Sequence, residues 1–91
     1  MVRRYANRKD ANQGPIVDAL REAGCSVEVM HTPCDLLVGI AGKNVLLELK
    51  DGAKPPSARK LTKDQIEFRK NWRGQFAVVE TIEQAIEAVG L

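Results

Sequence analysis

Residues 35–50, DLLVGIAGKNVLLELK, constrain this chain more than any other stretch. Two runs rich in Leu, Val and Ile lie on either side of Ala41, Gly42 and Lys43, which is the pattern of a β-hairpin. The second run, 44–50, reads as a strand buried on at least part of both faces, because Val45, Leu46, Leu47 and Leu49 cover both parities. Yet Glu48 and Lys50 sit inside it, two residues apart and therefore on one face. Ionised side chains are costly to bury unless they are paired or bind a metal. Any fold of this chain has to supply a partner at that end of the sheet.

The remaining elements follow from periodicity and punctuation. Asn12 is an expected N-cap, and Pro15 suits a helix's first turn. Ile16, Ala19, Leu20 and Ala23 give one apolar face, and Gly24 fits the position that ends the helix. CSVEVM (25–30) alternates like a strand, and Pro33 keeps HTPCD a loop. DGAKPPSARK (51–60) reads as a flexible basic loop. Thr62 and Gln65 form a capping box before a helix of about 63–72, with Leu61 and Ile66 as its hydrophobic staple. QFAVVE (75–80) is a strand. Thr81 and Gln84 repeat the box before a last helix carrying Ile82, Ala85, Ile86 and Val89, with Gly90 beyond it. The predicted order is α-β-β-β-α-β-α, in a single domain spanning 1–91 with a basic tail at 1–10 and no internal repeat.

The chain has 91 residues, enough for one small domain. Its 44% apolar and 29% charged residues make a globular balance rather than a disordered one. No apolar run approaches the roughly 20 residues of a membrane span, and MVRRYANRKD lacks a signal peptide's apolar segment. The expected setting is intracellular and cytoplasmic, with no membrane partner. Cys25 and Cys34 are then expected to be reduced thiols, and they make a poor zinc site. Net charge is only +2, but residues 1–10 sum to +3, 11–53 to −3, 54–73 to +5 and 74–91 to −3. Two basic blocks flank the acidic middle, which suggests a polyanionic partner. The alternative is a solvated surface.

A hairpin turn at Gly42-Lys43 makes paired residue numbers sum to 85. Leu37 then faces Glu48, Asp35 faces Lys50, and Asp35 and Glu48 are diagonal neighbours within ~7–8 Å. Two carboxylates and a lysine in one patch are what metal-assisted phosphodiester cleavage needs. Hard oxygen ligands suit Mg2+ or Mn2+, with waters and phosphate oxygens completing the shell. The plainer alternative is a salt bridge from Lys50 to Asp35 or Glu48.

Asp35 followed by Glu48-Leu49-Lys50, in that element order, resembles the core of the PD-(D/E)XK nuclease superfamily, a restriction-endonuclease-like α/β fold with a mixed central sheet flanked by helices. QGPIVDALREAG, CDLLVGIAGKNVLLELKDG, and LTKDQIEFRKNWRG followed by QFAVVET (together 13–81) resemble more closely the VRR-NUC family in its short stand-alone phage form. The resemblance implies that Asp35 and Glu48 bind the metal, that the Leu49 carbonyl is a backbone ligand, and that Lys50 is catalytic. It implies that Gln65 points at the active site from the second helix. Gln13 falls where the family often has a glutamate. An amide cannot supply that charge, so Gln13 is at most a further metal or water contact, and one tightly held ion is favoured over two. Cys34 stands where the family usually has proline, with Pro33 one position earlier.

The activity so implied is a Mg2+- or Mn2+-dependent DNA endonuclease that hydrolyses branched DNA such as four-way (Holliday) junctions. The implied assembly is a homodimer, which can be swapped through 51–60. The alternatives are a non-catalytic DNA-binding module with the same fold and a small oligomeric scaffold. Phosphate contacts are expected from Arg3, Arg4, Lys54, Arg59, Lys60, Lys63, Arg69, Lys70 and Arg73. His31, in the loop near Asp35, reads as a surface residue, with a phosphate contact as the alternative. Phe68 and Trp72 read as core or interface rather than base-stacking platforms, and Tyr5 as part of the tail.

Overall fold

The computed structural model describes residues 11–91. The basic tail with Arg3, Arg4 and Tyr5 lies outside the described residues. The elements are α1 (Gln13–Glu22), β1 (Ser26–Val29), β2 (Leu36–Ile40), β3 (Lys43–Leu49), α2 (Lys63–Asn71), β4 (Gln75–Val79) and α3 (Ile82–Ala88). The fold is mixed α/β, in the helix-strand-strand-strand-helix-strand-helix order expected. A short 3-10 turn, Pro56–Ala58, falls within the basic loop. Among the described residues no helix is long and apolar enough to cross a membrane.

The four strands form one sheet in the order β1-β2-β3-β4. β1–β2 and β2–β3 are antiparallel, while β3–β4 is parallel. A parallel neighbour cannot be reached by a tight turn, so the chain crosses over through 51–74, carrying α2 with it. β3 is therefore the central strand that joins the hairpin to the crossover, and its residues 45–49 are all buried.

The hairpin register differs from the one expected. The turn is Ala41-Gly42, not Gly42-Lys43, and Leu36 pairs with Leu47 and Val38 with Val45. Paired numbers sum to 83 rather than 85. Ala41 and Gly42 both have positive φ, 52° and 78°. That is the type I′ requirement, and its twist matches the flanking strands. Left-handed backbone at Ala41 costs about 1–2 kcal/mol. Placing the turn there lets Lys43 join the ladder opposite Ile40. Because the shift is two residues, every side chain keeps its face.

The main core lies on one side of the sheet. Leu36, Val38, Val45, Leu47, Leu49 and Val79 meet Ile16, Val17 and Leu20 of α1 and Ala85 and Val89 from the α3 segment. Each large apolar side chain buried this way contributes roughly 1.5–3 kcal/mol before entropy is counted. The face of α1 is rotated from the one expected: Val17 is buried and Ala23 is exposed. α1 ends in a Schellman motif, with Gly24 N–H donating to Arg21 O and Cys25 N–H to Leu20 O, and Gly24 at φ 101°. Gly90 ends α3 in the same way.

α2 lies over the opposite face. Phe68 meets Phe76 of β4 with ring centroids 5.7 Å apart and stacks on Trp72 at 5.2 Å. The α2 capping box is complete, with Gln65 N–H donating to Thr62 Oγ1 and Thr62 N–H to Gln65 Oε1. No residue of α2 is buried, however, and Ile66 is 55% exposed instead of closing a buried staple. At α3 the second box is altered. Gln84 N–H donates to Thr81 Oγ1, but Gln84 Oε1 accepts from Glu80 N–H.

Candidate functional site

The C-terminal end of β3 gathers the charged residues. In the observed register Leu36, the first residue of β2, pairs with Leu47, so Asp35 just before it lies beside Leu47 and Glu48 rather than opposite Lys50. The two carboxyls are within hydrogen-bonding reach of each other. Asp35 is tied in twice: its N–H donates to Leu47 O at 3.2 Å, and its Oδ2 accepts from Leu49 N–H at 2.7 Å. The carboxylate takes the place of the next carbonyl in the ladder and so fixes the end of the hairpin.

Glu48 is only 4% exposed. Its Oε2 accepts from Gln65 Nε2 at 2.6 Å and lies 3.5 Å from Lys50 Nζ. Lys50 Nζ also donates to Gln65 Oε1 at 3.2 Å. Gln65 therefore both caps α2 and contacts the acid site. Bonds from Thr62 N–H and Lys50 hold its Oε1, and this turns the amide nitrogen toward Glu48.

Burial pushes the Glu48 carboxyl up to about 7, and the neighbouring Asp35 charge adds to the rise while Lys50 opposes it. Lys50 pairs with Glu48, as in the plainer alternative, but the pair does not offset the cost of burying this acid. None of the hydrogen bonds above engages Asp35 Oδ1 or Glu48 Oε1. Lys50 N–H donates to Val79 O on the β4 side. Backbone alternation along the strand therefore directs the N–H and C=O of Leu49 toward the Asp35 side.

The donor set fits a hard divalent cation. Two crowded carboxyls, one with its charged form disfavoured by burial and by its acidic neighbour, would be relieved by a cation. Two carboxylates plus waters and phosphate oxygens are a usual Mg2+ shell. Among the described residues no group of three or more His, Cys, Asp or Glu could hold a metal, so protein ligands beyond Asp35 and Glu48 would have to come from the backbone or from amides. Gln13 is 5% exposed at the start of α1.

The residue that the sequence did not reveal is Asn12. It occupies the N-cap position, but its side chain makes no capping bond. Its Nδ2 instead donates to Lys50 O at 2.9 Å and to Glu80 O at 2.7 Å. Asn12 thereby clamps the ends of β3 and β4 and brings α1, with Gln13, to the Lys50 end of the sheet. Its local signal was that of a cap, and nothing within a few residues points to the two carbonyls.

Cys34 is 1% exposed, and its Sγ donates to Leu36 O at 3.4 Å. Burial raises the thiol to about 11, which makes it unreactive. Cys25 and Cys34 are both free and buried. Lys54, Lys60, Lys63 and Arg69 are exposed. Arg59 is more committed than expected: its Nη1 lies 3.3 Å from Glu80 Oε2, so part of its charge is already paired.

Comparison of the chain with family models, with curated proteins and with solved structures finds no match. The topology is compatible in outline with nuclease-like α/β folds.

Proposed function

We propose that this chain is a Mg2+- or Mn2+-dependent DNA endonuclease of the PD-(D/E)XK superfamily, of VRR-NUC type, acting on branched DNA such as four-way junctions. One observation carries the reading: the Asp35 and Glu48 carboxyls meet at the end of the hairpin, with Lys50 and Gln65 on Glu48. Asp35 and Glu48 would hold the ion, with the Leu49 carbonyl beside them. A bound divalent ion supplies Lewis acidity, offsetting phosphate charge and making a water more acidic. Lys50 orients that water or balances charge that develops on the phosphoryl oxygens. Gln65 keeps Glu48 and Lys50 in position. The deciding experiment is incubation of the protein with linear, flap and four-way DNA, with and without Mg2+ or Mn2+. Ion-dependent cleavage that favours branched DNA is the expected result, and no cleavage of any form overturns the reading.

A non-catalytic DNA-binding module with this fold is the second reading. It is favoured by the existing contacts of Glu48 with Lys50 and Gln65, which leave that carboxylate already partnered. It requires DNA binding that is indifferent to the divalent ion.

The exposed basic side chains supply phosphate contacts. Lys60→Ala is the cleanest test, because Arg59 is engaged with Glu80. It is expected to weaken binding to all DNA forms alike and to lower the salt slope by roughly 1. Unaltered affinity and slope would return Lys60 to the solvated surface.

The active assembly is a homodimer, since paired incisions need two sites in fixed relation. Trp72, 44% exposed, and Ile66, on a helix with no buried residue, offer the apolar surface a twofold axis would cover. Exchange of an element through 51–60 is compatible with this. Light scattering at micromolar concentration is expected to give twice the chain mass. A monomer mass that persists with four-way DNA would defeat the dimer.

A further inference from the structure

Beside the acid pair lies a cavity of about 380 Å3, lined by His31 and Pro33 of the loop before β2 and by Thr62, Asp64, Gln65 and Phe68. It lies within the range of small-molecule sites, roughly 300–1,000 Å3. Gln65 belongs to both places: its side chain holds Glu48 and Lys50, and the residue also lines the cavity. On the other side, Pro33 is two residues from Asp35. The cavity therefore begins next to the carboxyls, between the loop before β2 and the first turns of α2.

The lining selects its occupant. Asp64 sits in the first turn of α2, and its carboxylate repels a phosphate but accepts from an N–H donor. Phe68 brings an aromatic ring that is already stacked on Trp72 and in contact with Phe76. A ring anchored by two neighbours is a preorganised surface for another flat group. Pro33 adds an apolar wall, and the Thr62 hydroxyl and Gln65 amide add polar groups. An aromatic ring, an apolar wall and an acceptor for N–H donors suit a nucleobase.

A strand that offers a phosphodiester to Asp35 and Glu48 carries its flanking nucleosides close by, since stacked nucleotides advance only ~3.4 Å per step along a strand. We propose that this cavity receives one unstacked nucleobase adjacent to the phosphate being cut, stacked on Phe68 and donating an amino N–H to Asp64. The proposal rests on the nuclease reading of the acid pair. It also gives a physical reason for preferring branched DNA, because a nucleotide at a branch is easier to unstack than one in a duplex. Amino-bearing bases are preferred over thymine, because a carboxylate accepts from exocyclic amino groups.

The test uses the full chain and four-way DNA, with 2-aminopurine placed at successive positions along the strand and fluorescence read without divalent ion. One position is expected to change its emission on binding. Phe68→Leu is expected to remove that change and weaken binding roughly tenfold, within the range that base stacking supplies. Asp64→Asn is expected to abolish the preference for an amino-bearing base at that position. If Phe68→Leu fails to fold, the wild-type protein with an abasic nucleotide at that position serves instead, and tenfold weaker binding is expected. Equal emission changes at all positions, or an abasic nucleotide bound and cut as well as the intact one, would overturn the base site. Normal ion-dependent cutting with an indifferent flank removes the pocket and keeps the nuclease. A localised, Phe68-dependent signal without any ion-dependent cutting removes the nuclease and keeps the pocket.

Discussion

Alanine at Asp35 or Glu48 is expected to abolish ion-dependent DNA cleavage, by roughly a thousandfold or more, or about 4 kcal/mol of barrier. Folding and DNA binding are expected to stay largely intact. The usual objection to such a result is that the variant has merely unfolded. It has little force at Glu48, where burial and the neighbouring acid already disfavour the charged carboxylate. Removing the acid removes that penalty, and the nearest cation, Lys50, keeps 12% of its side chain open to solvent. Loss of one negative charge beside a DNA-binding surface also reduces repulsion, so affinity without metal is expected to hold or rise. At Asp35 the case is less clean, because its carboxylate accepts from Leu49 N–H and closes the hairpin. Asp35→Asn keeps an acceptor there and separates charge from structure. Purified Glu48→Ala that cuts like the wild type would sink the proposed site.

Much of this site was legible because it depends on parity and local capping. The apolar face of β3 and the Glu48–Lys50 pair follow from alternation along one strand. The Thr62–Gln65 box follows from a three-residue spacing, and the box is what orients Gln65 toward Glu48. The register was not legible. The Ala41-Gly42 and Gly42-Lys43 turns keep the same faces, and the choice between them depends on twist and on the whole ladder rather than on two residues. The difference has consequences, since the expected register sets Asp35 opposite Lys50, while the observed one brings it beside Glu48. The Asn12 clamp was hidden for another reason: its partners, Lys50 and Glu80, are 38 and 68 residues away in the chain. A side chain that bonds to distant backbone carbonyls leaves no periodic trace. The weak seating of α2 was equally invisible, because its capping signals are strong while its packing is not.

The crowding of the two carboxyls also makes stability respond to pH and to divalent ions. The Glu48 carboxyl is raised from an ordinary 4.5 to about 7, first by burial and then by Asp35. Between those values the folded chain binds a proton that the unfolded chain has released. Metal-free stability is therefore expected to fall as pH rises from about 4.5 to about 7, and the contribution of this group to level off above that. The full change is on the order of 3 kcal/mol, or roughly 10–20 °C in Tm for a domain of this size. Glu48→Gln stays neutral throughout and is expected to flatten that part of the profile. Mg2+ or Mn2+ acts in the opposite direction, since it binds the deprotonated carboxyls and only in the folded state. The ion is therefore expected to raise Tm at pH 7.5, to do little at pH 5, and to have no such effect on Glu48→Gln. Thermal melts across pH, with and without the ion and at matched ionic strength, measure all of this. A wild-type profile that is flat from pH 5 to 7.5, or a slope that survives in Glu48→Gln, would mean that the buried carboxyl is not strained as its surroundings imply. A Tm indifferent to Mg2+ and Mn2+ at pH 7.5 would leave the Asp35–Glu48 pair a structural contact rather than an ion site.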